Sequence, residues 1–220
     1  MGRIHQIRQS LPESCEKSWS VVLVAVSPLS ALPVQRSRPP SWKESKDMIF
    51  RRYRAEDFAA LCAIEERCFE PQLRFAPAYL QQLIRRDETA TWVAEHDGAV
   101  LGFAIVEWSN HSSGAGSYLQ IIEVAPEWQG RGIDARLIAL AEASAANANA
   151  QAMLLHVDAE DKAAIQFYEG CGYRRRRGKG YRMRGRKAFL YMKELGQPTS
   201  FWRRTPKVSE NLLPLLLNNM

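Results

Sequence analysis

Gln129-Gly130-Arg131-Gly132 lies between a β-type run ending in Val124-Ala125-Pro126 and a helix-forming run that opens near Ile133. Residues of these types at this spacing suit one chemistry, the holding of an anion. A strand that feeds a glycine turn and then a helix leaves several backbone N–H groups without intrahelical partners at one point. The positive end of the helix dipole lies at the same point. Gly130 and Gly132 tolerate positive φ and let backbone approach a phosphate closely, and Arg131 adds a charge. Taken alone, a G-x-G is equally an ordinary strand-to-helix turn, so its surroundings have to decide.

The elements that would position this turn are legible on both sides of it. Residues 49–53 read as a strand. Residues 56–69 read as an amphipathic helix, with Phe58, Leu61, Cys62 and Cys68 at helical spacing, and 77–86 as a second helix. The runs 92–95 and 99–108 form a hairpin, because His96-Asp97-Gly98 supplies a D-G turn. Residues 117–124 are the strand before the turn, and the Ala-rich run 135–146 is the helix after it. A strand over 151–157 and a helix over 161–171, stopped by Gly172, follow. Two last strands flank Gly178-Lys179-Gly180. Strands alternating with helices and then hairpins predict an α/β chain of the α+β kind, a mixed sheet covered by helices.

With 220 residues, 46% of them hydrophobic, the chain is long enough for one well-cored domain with tails. Residues 1–47 carry scattered Ser and Pro without a sustained period, which predicts a poorly ordered extension. The apolar stretch Val21–Val26 within it resembles a poor signal peptide. Glu13 and Glu16 and the lack of an A-x-A site count against export. Met48 opens the domain, so the extension is either native or a foreign addition upstream. The tail from residue 196 is polar and ends in a short leucine-rich patch. No apolar run nears the roughly 20 residues that span a bilayer, and a cytoplasmic location is expected. Cys15, Cys62, Cys68 and Cys171 have no C-x-x-C spacing and read as inert thiols rather than a disulfide framework. No metal is expected. The net charge of +6 hides an asymmetry: Arg174 to Lys187 carries nine basic residues and no acidic one, so the remainder is net acidic. That strip is either a solvated hairpin with protective cations or a dock for an acidic or RNA-containing partner. Without a nucleic-acid-binding motif, contact with RNA is expected only indirectly, through a particle such as the ribosome.

The stretch from Ile121 to Leu137 resembles the acetyl-CoA-binding motif of the GCN5-related N-acetyltransferases (GNAT). Val124-Ala125-Pro126 and Gln129-Gly130-Arg131-Gly132 match its pattern, while Asp134 stands where the family places Gly or Ala. A second block, Leu155 to Tyr173, is similar to the family's later strand and helix, which carries Asn-x-x-Ala and a Tyr followed by Gly and an aromatic. The resemblance covers roughly residues 48–195 and is nearest to the RimI-like group that acetylates ribosomal-protein N-termini. It implies a sheet in which two adjacent parallel strands splay apart and CoA enters the gap.

The resemblance also implies roles. Ile122, Glu123 and Val124 would offer a strand edge to pantetheine, with a backbone N–H near Val124 polarising the thioester carbonyl. Gln129, Gly130, Arg131, Gly132, Ile133 and Asp134 would surround the pyrophosphate. Tyr168 matches the tyrosine that protonates the leaving thiolate, and a phenol, protonated at neutral pH, suits that task. The base is either His156, where RimI-like enzymes carry Glu, or Glu123 on the preceding strand. Asp161 replaces the family's CoA-contacting Asn; it can still accept a hydrogen bond or cap the helix, but cannot donate. Tyr181, Gly185 and Ala188 echo RimI-like positions, with Lys187 in place of an Asp. Two functions follow: an acetyl-CoA-dependent N-acetyltransferase acting on a protein N-terminus or small amine, or a degenerate relative that binds a partner through the basic hairpin.

Overall fold

A computed structural model describes residues 48–111, 114–176, 181–183 and 186–196. The expected N-terminal extension, nearly all of the tail, and the Gly178-Lys179-Gly180 turn lie outside these residues. Strand β1 (Met48–Arg52) leads through a 3-10 turn to helix α1 (Phe58–Cys68), and a second such turn leads to α2 (Pro77–Ile84). The long antiparallel strands β2 (Thr89–His96), β3 (Ala99–His111) and β4 (Gly114–Val124) follow. After a 3-10 turn at Pro126–Trp128 come α3 (Ile133–Asn147), β5 (Ala152–Asp158) and α4 (Lys162–Gly170). The chain closes with β6 (Arg174–Arg175), β7 (Tyr181–Met183) and β8 (Arg186–Glu194).

Local chemistry accounts for most of the boundaries. Pro77 sits in the first turn of α2, where its missing N–H costs nothing. Asp97 and Gly98 both take positive φ, the requirement of a two-residue I′ turn, and close the β2–β3 hairpin. Asp161 caps α4 by accepting the N–H of Ala164 at 2.9 Å, and Gly172 ends that helix at φ +92. The sheet departs from expectation at two places. β3 and β4 run past the expected 99–108 and 117–124. The C-terminal region forms three strands rather than two, because β6 and β7 each pair a different part of β8.

The sheet order is β1-β2-β3-β4-β5-β8-β6, with β7 also on β8. All contacts are antiparallel except β4 with β5. That parallel ladder covers only Gly116–Tyr118 against Ala152–Leu154. Beyond Tyr118 and Leu154 the two strands part, each remaining paired on its other side, and a gap opens toward their C-terminal ends. A bulge marks the same place: Val106 faces Leu119 and Ile105 faces Ile121, leaving Gln120 as the extra residue. The bulge reverses the alternation of β4. Leu119, Ile122 and Val124 join the core beneath α3 and α4, whereas Ile121 joins the core beneath α1 and α2.

Each face therefore has its own apolar layer. One holds Leu137, Ile138, Met153, Leu155, Tyr168 and Tyr173; the other holds Leu61, Ile64, Leu80, Leu83, Phe103 and Ile105. Arg51 on β1 ties the start of α1 down through two bonds to buried Asp57, at 2.7 and 2.8 Å, and a third to Glu95. The guanidinium holds the Asp57 carboxyl below its usual range. No helix among the described residues is long and apolar enough to cross a membrane.

Candidate active site

The anion-binding turn forms as its residue types require. Gly130 and Gly132 take φ +70 and +78, and Gly132 is the N-cap of α3. Only glycine adopts this conformation without strain. Gln129 braces the loop from within by donating its side-chain N–H to the carbonyl of Val124 at 3.0 Å. The Arg131 guanidinium lies over the Trp128 ring, 4.5 Å from its centroid. Asp134, in the first turn of α3, accepts the N–H of Ala135 at 2.8 Å, so the helix N-terminus is partly satisfied by its own chain. Burial pushes the Asp134 carboxyl up.

Backbone donors line the gap as well. The N–H of Ala125 donates to Leu101 on β3 at 2.7 Å. Successive N–H groups of a strand point to opposite sides, so the N–H of Val124 turns away from β3 and into the gap. Gly102 on β3 makes this close fit possible. A Cβ there would lie 2.7 Å from the Glu123 carbonyl oxygen and 3.2 Å from the Val124 Cα. Gly102→Ala should therefore push β4 outward at the residues that face the gap. A stability loss of about 1–3 kcal/mol is expected from overpacking, with a larger fractional fall in kcat/KM; denaturation and steady-state kinetics on one preparation check both.

Two titratable clusters meet across the gap. On the α3–α4 side, Tyr168 is fully buried and packs edge-on against Phe167 and Tyr173. Its hydroxyl has no hydrogen-bond partner among the described residues. Burial pushes its ionisation well above the ordinary phenol range, with smaller contributions from Cys171, Tyr118, Asp161 and Asp134. The group is a proton donor at every physiological pH. On the α1–α2 side, the Tyr118 hydroxyl and His156 Nδ1 lie 2.7 Å apart, both residues buried. Met153, Leu155 and Val157 fill the core under α3 and α4, which turns His156 to the opposite face. Desolvation lowers the His156 pKa to about 4, so its ring is neutral at pH 7. Glu123, flanked by Ile122 and Val124 on the α3 side, is buried on the same face as His156.

The profile of the Acetyltransferase (GNAT) family matches residues 58–173. The chain belongs to this family. An uncharacterised N-acetyltransferase of Methanocaldococcus jannaschii is 29% identical over 130 residues, 58% of this chain and 54% of the relative. The chain thus spans about half the length of that curated relative. Among solved structures, the NatC complex bound to Gag peptide and CoA superposes with a TM-score of 0.60 at 17% identity, over 68% of this chain and 99% of that one. The ribosomal-protein-S18-alanine N-acetyltransferase of Escherichia coli gives 0.56 at 20% identity, over 75% and 98%. NAA60 of Arabidopsis thaliana with acetyl-CoA gives 0.58 at 20%, over 67% and 98%. At these identities the likeness is one of fold: the mixed sheet with flanking helices is the GNAT acyltransferase fold.

The residues present fit the family's co-substrate. A GNAT site must hold a pyrophosphate, pair pantetheine with a strand edge and meet a leaving sulfur with a proton. The glycine turn, the open edge of β4 and the unpartnered Tyr168 hydroxyl offer one feature for each need. Asp161 turns its carboxylate to Ala164 as a cap. Asp134 accepts one first-turn donor, the Ala135 N–H. Ile122 and Val124 belong to the same buried layer as Tyr168. Ala188 faces Asp158 on β5; the Tyr181 side chain and Gly185 lie outside the described residues. Sequence reasoning missed Tyr118 and Gly102. Strand alternation from Glu123 places Tyr118 on the wrong face, because only the bulge at Gln120 restores it. Gly102 resembles any strand glycine until its distance to β4 is known.

Proposed function

We propose that this chain is an acetyl-CoA-dependent N-acetyltransferase whose acceptor is a primary amine, with the α-amine of a protein N-terminus as the substrate class and small amines as weaker acceptors. The observation that carries the reading is the buried Tyr168 hydroxyl, without a hydrogen-bond partner among the described residues, on the side of the sheet where β4 and β5 part. Leaving such a group unsatisfied costs about 1–3 kcal/mol, a penalty that a bound sulfur would relieve. Peptide ligands in related folds, such as the Gag peptide on NatC, support an acceptor presented by a chain end. A cytoplasmic location and a domain spanning 48–195 belong to the same proposal.

Acetyl-CoA, when bound, supplies an acetyl group activated as a thioester. Val124 N–H orients and polarises its carbonyl from a fixed direction, with little reorganisation during reaction. Tyr168 holds the proton that the departing sulfur needs. A base with a pKa near 4 cannot strip a free ammonium, whose pKa is near 8 for a chain terminus. The acceptor therefore enters as the neutral amine. Its proton becomes acidic only as nitrogen bonds to carbon, and the Tyr118–His156 pair then receives it. With Nδ1 protonated toward Tyr118, Nε2 accepts; with Tyr118 donating to Nδ1, its oxygen accepts as its own proton moves to the ring. Glu123 is the alternative acceptor on that face. A panel of free and N-terminally blocked peptides, lysine-containing peptides and polyamines tests the acceptor class. The highest kcat/KM is expected on free α-amines, with weaker acetylation of small amines, and preferential acetylation of polyamines or lysine side chains would reassign the class.

A second role attaches to the basic strip. Arg174, Arg175, Arg186 and Lys187 are exposed. Arg175 and Lys187 lie over the Phe189 ring at 3.3 and 5.7 Å. Arg186 bonds Asp158 at 2.9 Å, two residues beyond His156 on the same strand. We infer that the strip attracts acidic acceptors toward the site, which also keeps the pure binding-module reading testable. The double variant Arg174→Glu, Arg175→Glu should raise KM for an acidic peptide by roughly tenfold at low salt, converging with wild type at about 0.5 M salt. Acetylation of a small neutral amine should not change. Identical salt dependence in both proteins would leave a solvated hairpin.

A further inference from the structure

Asp134 departs from the family pattern at the place where a phosphate would meet the protein, and three observations give the departure a consequence. Its carboxylate is bonded to the Ala135 N–H at 2.8 Å in the first turn of α3. It lies two residues after Gly132, the second of two left-handed glycines whose conformation lets backbone N–H groups converge. Among the described residues no cation pairs with it. The nearest basic candidate in the turn, Arg131, lies over Trp128. The groups that share its field are the Tyr168 hydroxyl of α4 and the Cys171 thiol just after that helix, both pushed up in part by the Asp134 charge; Glu142 also pushes the thiol up and Lys193 pulls it down. Asp161, at the start of α4, adds to the same negative field at Tyr168. Two carboxylates, Asp134 and Asp161, thus act on the Tyr168 side of a site whose ligand carries phosphates, while Arg136 in the same turn lies over the Phe50 ring.

We propose that Asp134 is a built-in competitor for the pyrophosphate of acetyl-CoA, holding the Ala135 N–H of the first turn of α3 in the free protein and giving it up, with uptake of a proton, when the nucleotide binds. The proposal rests on the reading that acetyl-CoA binds at the β4–α3 turn. One oxygen can take that N–H at a time. A charged carboxylate left beside a pyrophosphate in a half-buried pocket is repelled, and protonation removes that repulsion. The burial that already raises the Asp134 pKa favours the protonated carboxyl. Binding then tightens as pH falls, by up to about tenfold per pH unit where one proton is taken up.

Calorimetric titration of CoA into the full chain tests this between pH 5.5 and 8, in two buffers of different ionisation enthalpy. The same series is run on Asp134→Asn, which removes the charge, and Asp134→Gly, which removes the side chain. Thermal melts of all three establish folding. The 3′-phosphate of CoA titrates in the same range, so dephospho-CoA is run alongside, and the difference between wild type and variants isolates Asp134. At pH 8 both variants should bind CoA on the order of tenfold more tightly. Wild type should take up more protons, and its affinity should approach that of Asp134→Asn as pH falls. Parallel pH profiles, or weaker binding in both folded variants, would overturn the proposal while leaving the site intact. Absence of CoA binding in all three proteins would overturn the site assignment itself.

Discussion

Tyr168→Phe should lower kcat by about 10²-fold, the usual contribution of a positioned general acid, while the affinity for CoA stays within twofold. The substitution removes one oxygen from a fully buried side chain and keeps the ring contacts with Phe167 and Tyr173. Because that hydroxyl bonds nothing else among the described residues, its loss leaves no orphaned partner, and folding stability should hold or rise slightly. A purely structural tyrosine would behave in the opposite way, with stability changing and turnover preserved. Denaturation, CoA titration and steady-state turnover on one preparation separate the two. Undiminished turnover would remove Tyr168 from the mechanism.

His156→Gln should give the second large effect, again roughly 10²-fold in kcat/KM, with a pH signature. The sign follows from burial: desolvation disfavours the imidazolium, so the histidine pKa falls from 6.5 to about 4. Between pH 5.5 and 7 the ring is neutral, and kcat/KM should show no histidine ionisation there. Its rise toward pH 8 should track conversion of the acceptor from ammonium to amine. Below about pH 5 wild type should lose activity more steeply than the Gln variant, in which no imidazole remains to be protonated. The same desolvation makes the folded state prefer neutral His156. Its stabilising contribution is complete above the unfolded pKa and is lost as pH falls from 6.5 toward 4. Tyr118→Phe should reproduce part of the kinetic loss by removing the 2.7 Å partner. Wild-type rates and pH profile in His156→Gln would move the base to Glu123 or to water.

The reach of the sequence follows from which interactions are local. Gly130, Gly132, the Asp97-Gly98 hairpin and the Asp161 cap depend on one or two residues, and each appears as its type demands. The order of strands and helices follows from periodicity. The bulge at Gln120 does not. It is fixed by the pairing of β3 with β4, a long-range contact that leaves no composition signal, and it alone brings Tyr118 to the face of His156. The His156 titration range was equally illegible, since an imidazole's ordinary value says nothing of a strand buried on both faces. The extra C-terminal strand was missed because β6 is two residues long and exists only through β8.

Release of free thiol from acetyl-CoA, followed with the full chain and acceptors bearing free amines, is the most direct measurement of whether this gap performs acetyl transfer. The account predicts release above the spontaneous rate that requires a free amine, is matched by acetylated acceptor, and drops about 10²-fold in Tyr168→Phe. Thiol release no faster than the spontaneous rate with every amine supplied, from a folded protein that still binds CoA, would contradict it.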